Sequence, residues 1–161
     1  MSYVDRGGQA LWFLNTRVRI VVPASAGKDS ISILQHWAPF GDSPPLHIHT
    51  TEDEAFRVLE GRFRFRVGDQ EHLLHAGETL LAPKNVPHTY CIESPEGGSW
   101  MTVTTSGDFE GLVRKISRPA GNDGLPTPVD HPTPEQIQAL TDACRDHKIE
   151  IAGPPMTPVG S

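Results

Sequence analysis

The chain has 161 residues, a mass of 17.6 kDa and a formal net charge of −6, from 14 Lys and Arg against 20 Asp and Glu. This length suits one hydrophobic core with appendages rather than two cores, and without a basic cluster the charge balance argues against a nucleic-acid partner. The polar N-terminus lacks a secretory pattern and no run approaches the roughly 20 apolar residues of a membrane span, so we expect a cytoplasmic protein without a membrane partner.

Glycine and proline are abundant, with 15 residues of each, which argues against a helical bundle and favours a turn-rich β architecture. Short runs rich in Val, Ile, Phe and Thr end at Gly, Pro, Asn or Asp about every 8–12 residues, as in all-β sandwiches and barrels. The predicted strands are 11–15, 17–22, 30–37, 55–59, 62–67, 71–74, 79–82, 89–92 and 100–105. The sequence therefore predicts one β-barrel domain over residues 1–118.

Residues 119–161 hold 8 of the 15 prolines and are predicted to form a Pro-rich linker, one short helix and an extended tail that packs on the barrel. The helix is placed at about 134–147, because Thr133 can serve as N-cap, Pro134 suits the first helical position and Gln136 completes a capping box. Its expected apolar stripe is Ile137, Leu140 and Cys144.

The strongest chemical signal comes from four residues, His47, His49, Glu54 and His88. On a strand, the two imidazoles of His47 and His49 project from the same face, and Glu54 follows five positions later. Imidazole and carboxylate donors suit divalent first-row metals, and a set of three histidines and one carboxylate can leave coordination positions open. A His-x-His pair alone is more often a pair of surface histidines, but this pair is framed by Gly41 and Gly61.

Two spaced motifs carry a family resemblance. The first, Gly, five residues, His-x-His, three or four residues, Glu, six residues, Gly, is met in full from Gly41 to Gly61. The second is met at Gly77, Pro83 and His88, with Asn85 at a position where Gly is usual and Ile92 where Asn is usual. Together they resemble the cupin superfamily, which implies an all-β jelly-roll barrel (double-stranded β-helix), here with a C-terminal helix and a Pro-rich tail.

A narrower likeness covers most of the chain. The stretches Pro-Pro-Leu-His-Ile-His at 44–49, Asp-Glu-Ala-Phe-Arg-Val-Leu-Glu-Gly at 53–61 and Pro-His-Thr at 87–89 are similar to small bacterial cupins described as quercetin-dioxygenase-like. This resemblance implies one divalent transition metal ion per chain, Fe, Mn, Ni, Co, Cu or Zn, with His47, His49, Glu54 and His88 as ligands. It also implies that Glu54 doubles as the catalytic base.

The alternation of side chains along the strands predicts which residues contact the substrate. Alternate side chains of a strand lie on the same face. An inward Glu54 therefore implies an inward Phe56, and an inward His88 implies an inward Tyr90. We therefore predict substrate contacts at Phe56, Tyr90 and Phe65, with core packing as the competing role for the two phenylalanines. The remaining histidines lack such framing and are taken as surface or hydrogen-bonded residues: His36, His72, His75, His131 and His147.

The favoured functional hypothesis is a mononuclear metal oxygenase, quercetinase-like, acting on a small enol, phenol or aromatic hydroxy compound. Two alternatives stay open: a redox-neutral metal-dependent isomerase, lyase or cyclase, and a non-catalytic cupin that binds a small ligand. A homodimer is expected, because pairing across a two-fold axis would cover the N-terminal strands and the tail.

Overall fold

A computed structural model describes residues 2–129 and 131–159, which fold into two antiparallel β-sheets and two α-helices. In chain order the elements are β1 (Leu11–Phe13), β2 (Thr16–Val22), β3 (Ser32–Ala38), β4 (Leu46–His49), β5 (Glu54–Glu60), β6 (Arg62–Val67), β7 (Gln70–His75), β8 (Thr79–Ala82), β9 (His88–Ile92), β10 (Gly98–Thr104), α1 (Asp108–Ile116), β11 (Arg118–Pro119), α2 (Pro134–Asp146) and β12 (Ile149–Gly153). The larger sheet has the order β11-β1-β2-β3-β10-β5-β8, and the smaller one β12-β4-β9-β6-β7.

The predicted all-β barrel is confirmed. Each of the nine predicted strands is present, with ends within two residues of the expected ones. Alternation along the strands buries one face: in β5 the side chains of Glu54, Phe56 and Val58 are buried, and in β6 those of Phe63 and Phe65. These inward side chains interlock with Tyr90 and Trp100 to form the core between the two sheets.

Helix α1 was not predicted. Its side chains Leu112 and Val113 are buried in a second apolar cluster with residues of β1, β2 and β3. The C-terminal half of α2 completes this cluster through Leu140, Ala143 and Cys144. The two helices therefore cover one end of the barrel.

The C-terminal region agrees in part with its prediction. Helix α2 begins with the expected capping box, in which Thr133 accepts a hydrogen bond from the Gln136 N–H and the Gln136 side chain accepts one from the Thr133 N–H. The expected apolar stripe is wrong at Ile137, which is 53% exposed, because only the second half of α2 packs on the protein. Part of the predicted extended tail is strand β12, paired with β4.

Tight turns hold the metal-motif segments in place. Asn85 has φ +65°, so it adopts the left-handed conformation that we expected asparagine to tolerate where the motif usually has glycine. Gly61, between β5 and β6, has φ +88°, and a Cβ there would lie 2.6 Å from the Gly97 carbonyl oxygen. Glycine is thus required at this turn for both its conformation and its small size.

The helices of the described residues are too short and too polar for either of them to traverse a lipid bilayer. The two cysteines, Cys91 and Cys144, are free and buried.

Candidate metal centre

The four predicted ligands lie together where the two sheets meet. His47 and His49 lie on β4 and His88 begins β9, with His47 and His88 as direct cross-strand partners in the smaller sheet. Glu54 begins β5 of the larger sheet. One donor atom from each residue lies within 4.8 Å of the others, close to the span of about 4 Å set by two donors at about 2 Å from one ion.

Hydrogen bonds on the outer side of the histidine rings fix their orientation. His47 Nδ1 lies 2.7 Å from the Pro45 carbonyl oxygen, and His88 Nδ1 lies 3.2 Å from that of Val86. A carbonyl oxygen can only accept, so both Nδ1 atoms donate, and the Nε2 atom of each ring is the nitrogen that could bind a metal ion. The same arrangement recurs at His49, where Nδ1 lies 3.1 Å from Glu52 Oε2.

The Nε2 atoms of His49 and His88 converge on the Glu54 carboxylate, which accepts a hydrogen bond from His88 Nε2. Glu54 Oε2 is 3.0 Å from His88 Nε2 and 3.2 Å from His49 Nε2. Within the described residues the buried His49 Nε2 makes no hydrogen bond, because its contact with Glu54 lacks the required geometry. Three basic nitrogens and one anion facing each other call for a cation between them, so the residues fit a divalent metal ion.

The ionisation of Glu54 and His47 agrees with this donor set. Burial alone would raise the pKa of Glu54, but His49, His88 and His47 outweigh it and hold the pKa at about 2. Burial, together with His88 and His49, lowers the pKa of His47 to about 3. At neutral pH Glu54 is therefore a carboxylate and His47 a neutral imidazole, the forms in which both residues bind metals. At His49, by contrast, burial lowers the pKa but Glu54 and Glu52 outweigh burial and raise the pKa, so a metal ion would displace a proton from that ring.

Glu52 is a candidate site residue that the sequence reasoning missed. Its side chain is buried, and its carboxylate accepts hydrogen bonds from His49 Nδ1 and from the backbone N–H groups of Asp108 and Phe109, both at 3.0 Å. Those two N–H groups begin α1, where a negative charge is favoured. Glu52 thus connects a metal ligand to the helix that covers the barrel, and its position three residues after His49 was the available signal.

A cavity of about 90 Å³ opens beside the metal cluster. His47, His49 and Glu54 form part of its lining, and its remaining walls are mostly apolar, including Phe13, Trp100, Phe109, Leu112, Leu140 and Ile149. The predicted substrate contacts Phe56 and Tyr90 line this cavity. Phe65 lies behind Phe56, with ring centroids 5.0 Å apart, and is fully buried in the core. The substrate role of all three residues stays a prediction.

His36 also lines the cavity, although the sequence offered no reason to place it there. It is 2% exposed, stacks on Trp100 with ring centroids 4.8 Å apart, and shares a 3.0 Å hydrogen bond with Thr102 Oγ1. It is therefore a buried and hydrogen-bonded histidine rather than a surface one.

Tyr90 is held by a residue outside the cavity lining. Its hydroxyl donates a 3.4 Å hydrogen bond to Asp42 Oδ2. Burial raises the pKa of Asp42 from 3.8 to about 6, and the hydrogen bond from Tyr90 only partly offsets this rise. The carboxylate that orients Tyr90 is thus costly to keep ionised inside the protein.

We predict that Asp42→Asn stabilises the protein at neutral pH. Between pH 4 and 6 the unfolded chain has lost the Asp42 proton while the folded chain retains it, so the native state loses stability as the pH rises through this window. The amide avoids this cost and still accepts from Tyr90. The variant should gain about 2 kcal/mol over the native protein at pH 7.5 and almost nothing at pH 4, measured by urea unfolding. Asp69→Asn in an exposed turn is the control, and a gain independent of pH would contradict the prediction.

Comparison with known proteins agrees with this fold. Residues 33–104 match the model of the Cupin domain family. Quercetin 2,3-dioxygenase of Bacillus subtilis is 28% identical over 121 residues, which is 74% of this chain and 36% of that enzyme. The chain thus aligns with about a third of the length of this relative.

Solved structures share the fold. A protein of Thermotoga maritima described as a predicted oxalate decarboxylase has a TM-score of 0.59 and 16% identity, over 65% of this chain and 98% of that one. An RmlC-like cupin of Shewanella frigidimarina has a TM-score of 0.56 and 18% identity, over 68% of this chain and 96% of that one. At these identities the likeness concerns the fold alone.

Proposed function

We propose that this chain is a member of the cupin superfamily and a mononuclear metal-dependent oxygenase acting on a small, neutral enol, phenol or aromatic hydroxy compound. The observation that carries the proposal is the convergence of three histidine nitrogens and the Glu54 carboxylate on one point beside an apolar cavity. The similarity to a quercetin 2,3-dioxygenase supports oxygen chemistry over the alternatives.

A divalent ion held by His47, His49, Glu54 and His88 would supply Lewis acidity and a fixed position for a substrate oxygen. The protein supplies the remaining functions. The ionised Glu54 carboxylate accepts the proton of the substrate hydroxyl, and the ring positions set by Pro45, Val86 and Glu52 keep the histidine nitrogens aimed at the same point. The apolar walls exclude competing water.

The cavity limits the size of the substrate. Its volume is about 90 Å³, below the roughly 150 Å³ of a closed engineered cavity that binds benzene, so a single aromatic ring fits only because this cavity is open on one side. A three-ring flavonol would need the wall formed by Phe109, Leu112 and Leu140 to move outward, so the proposed substrate is smaller than quercetin.

The cavity also limits the charge of the substrate. Over the described residues, no lysine or arginine lines it, and Glu54 brings a negative charge. A carboxylate or phosphate on the substrate would have no cationic partner there beyond the metal. The proposed substrate therefore carries hydroxyl or carbonyl oxygens.

Oxygen uptake tests the proposal. The purified protein, loaded in turn with Fe(II), Mn(II), Co(II), Ni(II) and Cu(II), is supplied with a panel of small enols and phenols in an oxygen electrode. We expect metal-dependent oxygen consumption that Glu54→Gln reduces at least 100-fold. Glu150→Gln, which alters an exposed carboxylate on β12, is the matched control.

Two outcomes would overturn the proposal. Turnover of the same panel without oxygen, supported by zinc, would assign the site to a redox-neutral isomerase, lyase or cyclase. Tight binding without turnover for every metal would make the protein a ligand-binding cupin.

A further inference from the structure

A polar pair interrupts the apolar wall of the cavity. His36 on β3 and Thr102 on β10 both line it, and they are joined by the 3.0 Å contact between His36 Nε2 and Thr102 Oγ1. Neither residue belongs to the metal cluster, whose members come from β4, β5 and β9. The pair is therefore a second polar feature of the same cavity.

The histidine ring is held rigidly. It stacks on Trp100 with an interplanar angle of 8°, and the Phe109 ring lies on it with centroids 6.0 Å apart. Such a clamp would hold a phenylalanine ring equally well, so packing alone does not require a histidine at this position. A buried imidazole also costs desolvation, which an apolar ring would avoid.

The hydrogen-bonding capacity of His36 is only half used. Nε2 is engaged by Thr102, and among residues 2–129 and 131–159 nothing forms a hydrogen bond with Nδ1. Burial lowers the pKa of His36 to about 4, so the ring is neutral at physiological pH. A neutral ring paired with a hydroxyl can either donate to or accept from a ligand, depending on its tautomer.

We propose that His36 and Thr102 form a second subsite of the cavity, which binds a neutral hydroxyl or carbonyl oxygen of the substrate. The inference rests on the proposed function, because it requires a second oxygen of the same substrate to bind at the metal cluster. The substrate class then narrows to small apolar compounds with two neutral oxygen functions. Monocarboxylates are excluded from this subsite, because a neutral imidazole offers no compensating charge.

The first test uses the metal-free protein, so that it is independent of the proposed function. Phenol and toluene have the same shape and differ in one hydroxyl group, and their binding is measured by NMR titration of the folded protein. We expect phenol to bind about tenfold more tightly than toluene, the worth of one satisfied hydrogen bond in a buried site. Benzoate should bind more weakly than phenol.

Isosteric variants then locate the hydrogen bond. His36→Phe keeps the stack on Trp100, and Thr102→Val keeps the volume of the side chain. Each variant should reduce the preference for phenol over toluene from about tenfold to below threefold. Thr104→Val is the matched control, because Thr104 is a buried threonine on the same strand and lies outside the cavity lining. If His36→Phe does not fold, Thr102→Val alone decides.

A second test addresses the two-oxygen substrate and uses the zinc-loaded protein. At least one of catechol, resorcinol and hydroquinone should bind tenfold more tightly than phenol, and His36→Phe should abolish the gain. An unchanged preference for phenol in both variants, or benzoate binding as tightly as phenol, would overturn the subsite. Equal binding of phenol and all three diols with zinc in place would overturn the two-oxygen substrate.

Discussion

Replacing His49 with alanine is expected to abolish stable metal binding. His49 is 2% exposed, and its Nε2 is the buried donor that has no hydrogen bond within the described part of the chain. Removing it leaves two imidazoles and a carboxylate around a void. Loss of a group that only supports a ligand already costs 10–100-fold in affinity, so loss of the ligand itself should cost more than 100-fold.

The measurement is elemental analysis of protein purified without added ions, followed by titration with Fe(II), Mn(II) and Zn(II). His72→Ala is the matched control, since His72 is exposed on β7 and far from the cluster in the sheet order. Equal metal content in the His49→Ala and native proteins would refute the assigned ligand set. Absence of metal from the native protein, with no rebinding, would contradict metal-dependent catalysis by this protein.

The four ligands could be predicted because their positions follow from local rules. The His-x-His spacing places His47 and His49 on one face of a strand, and the short connection of residues 50–53 between β4 and β5 brings Glu54 back beside them. Nine of the twelve strands in the described residues were equally accessible, because Gly, Pro, Asn and Asp end their apolar runs, whereas β4, β11 and β12 were not among the predicted strands. Local geometry therefore accounts for the barrel and for the donor set.

Helix α1 was missed for an identifiable reason. Its apolar side chains fall at helical spacing, at Phe109, Leu112, Val113 and Ile116, yet Gly107 precedes it and Gly111 interrupts it. Glycine weakens a helix by roughly 1 kcal/mol, a cost that packing on β1, β2 and β3 offsets. That packing is a tertiary effect and is invisible to local periodicity.

The environment of the site is non-local for the same reason. Strand β12 pairs Ile149 with His49, a hundred residues apart in sequence, and His36 reaches the cavity only because β3 lies beside β10. Neither pairing has a signature within a short window. The donors of the metal site were thus predictable, whereas the groups that orient them and shape the cavity were not.

Glu52 provides the sharpest test of those orienting groups. We expect Glu52→Gln to weaken metal binding 10–100-fold although it removes no ligand. Glutamine offers one acceptor oxygen in place of two, so it cannot serve His49 Nδ1 and the N–H groups of Asp108 and Phe109 together. Its NH₂ group would also face one of these donors, which would tilt the imidazole and loosen the first turn of α1.

Two measurements separate orientation of the ligand from stability of the fold. Isothermal titration with zinc gives the metal dissociation constant, and urea unfolding of the metal-free protein gives its stability, which should fall by about 2 kcal/mol as hydrogen bonds to a buried carboxylate are lost. Asp53→Asn is the matched control, because Asp53 is an exposed neighbour that accepts a hydrogen bond from the Lys84 N–H and contacts no ligand. A Glu52→Gln protein that loses stability but keeps its zinc affinity within threefold would show that Glu52 only anchors α1. Weaker zinc binding by Glu52→Gln protein that is fully folded would instead identify Glu52 as the residue that orients His49 toward the metal.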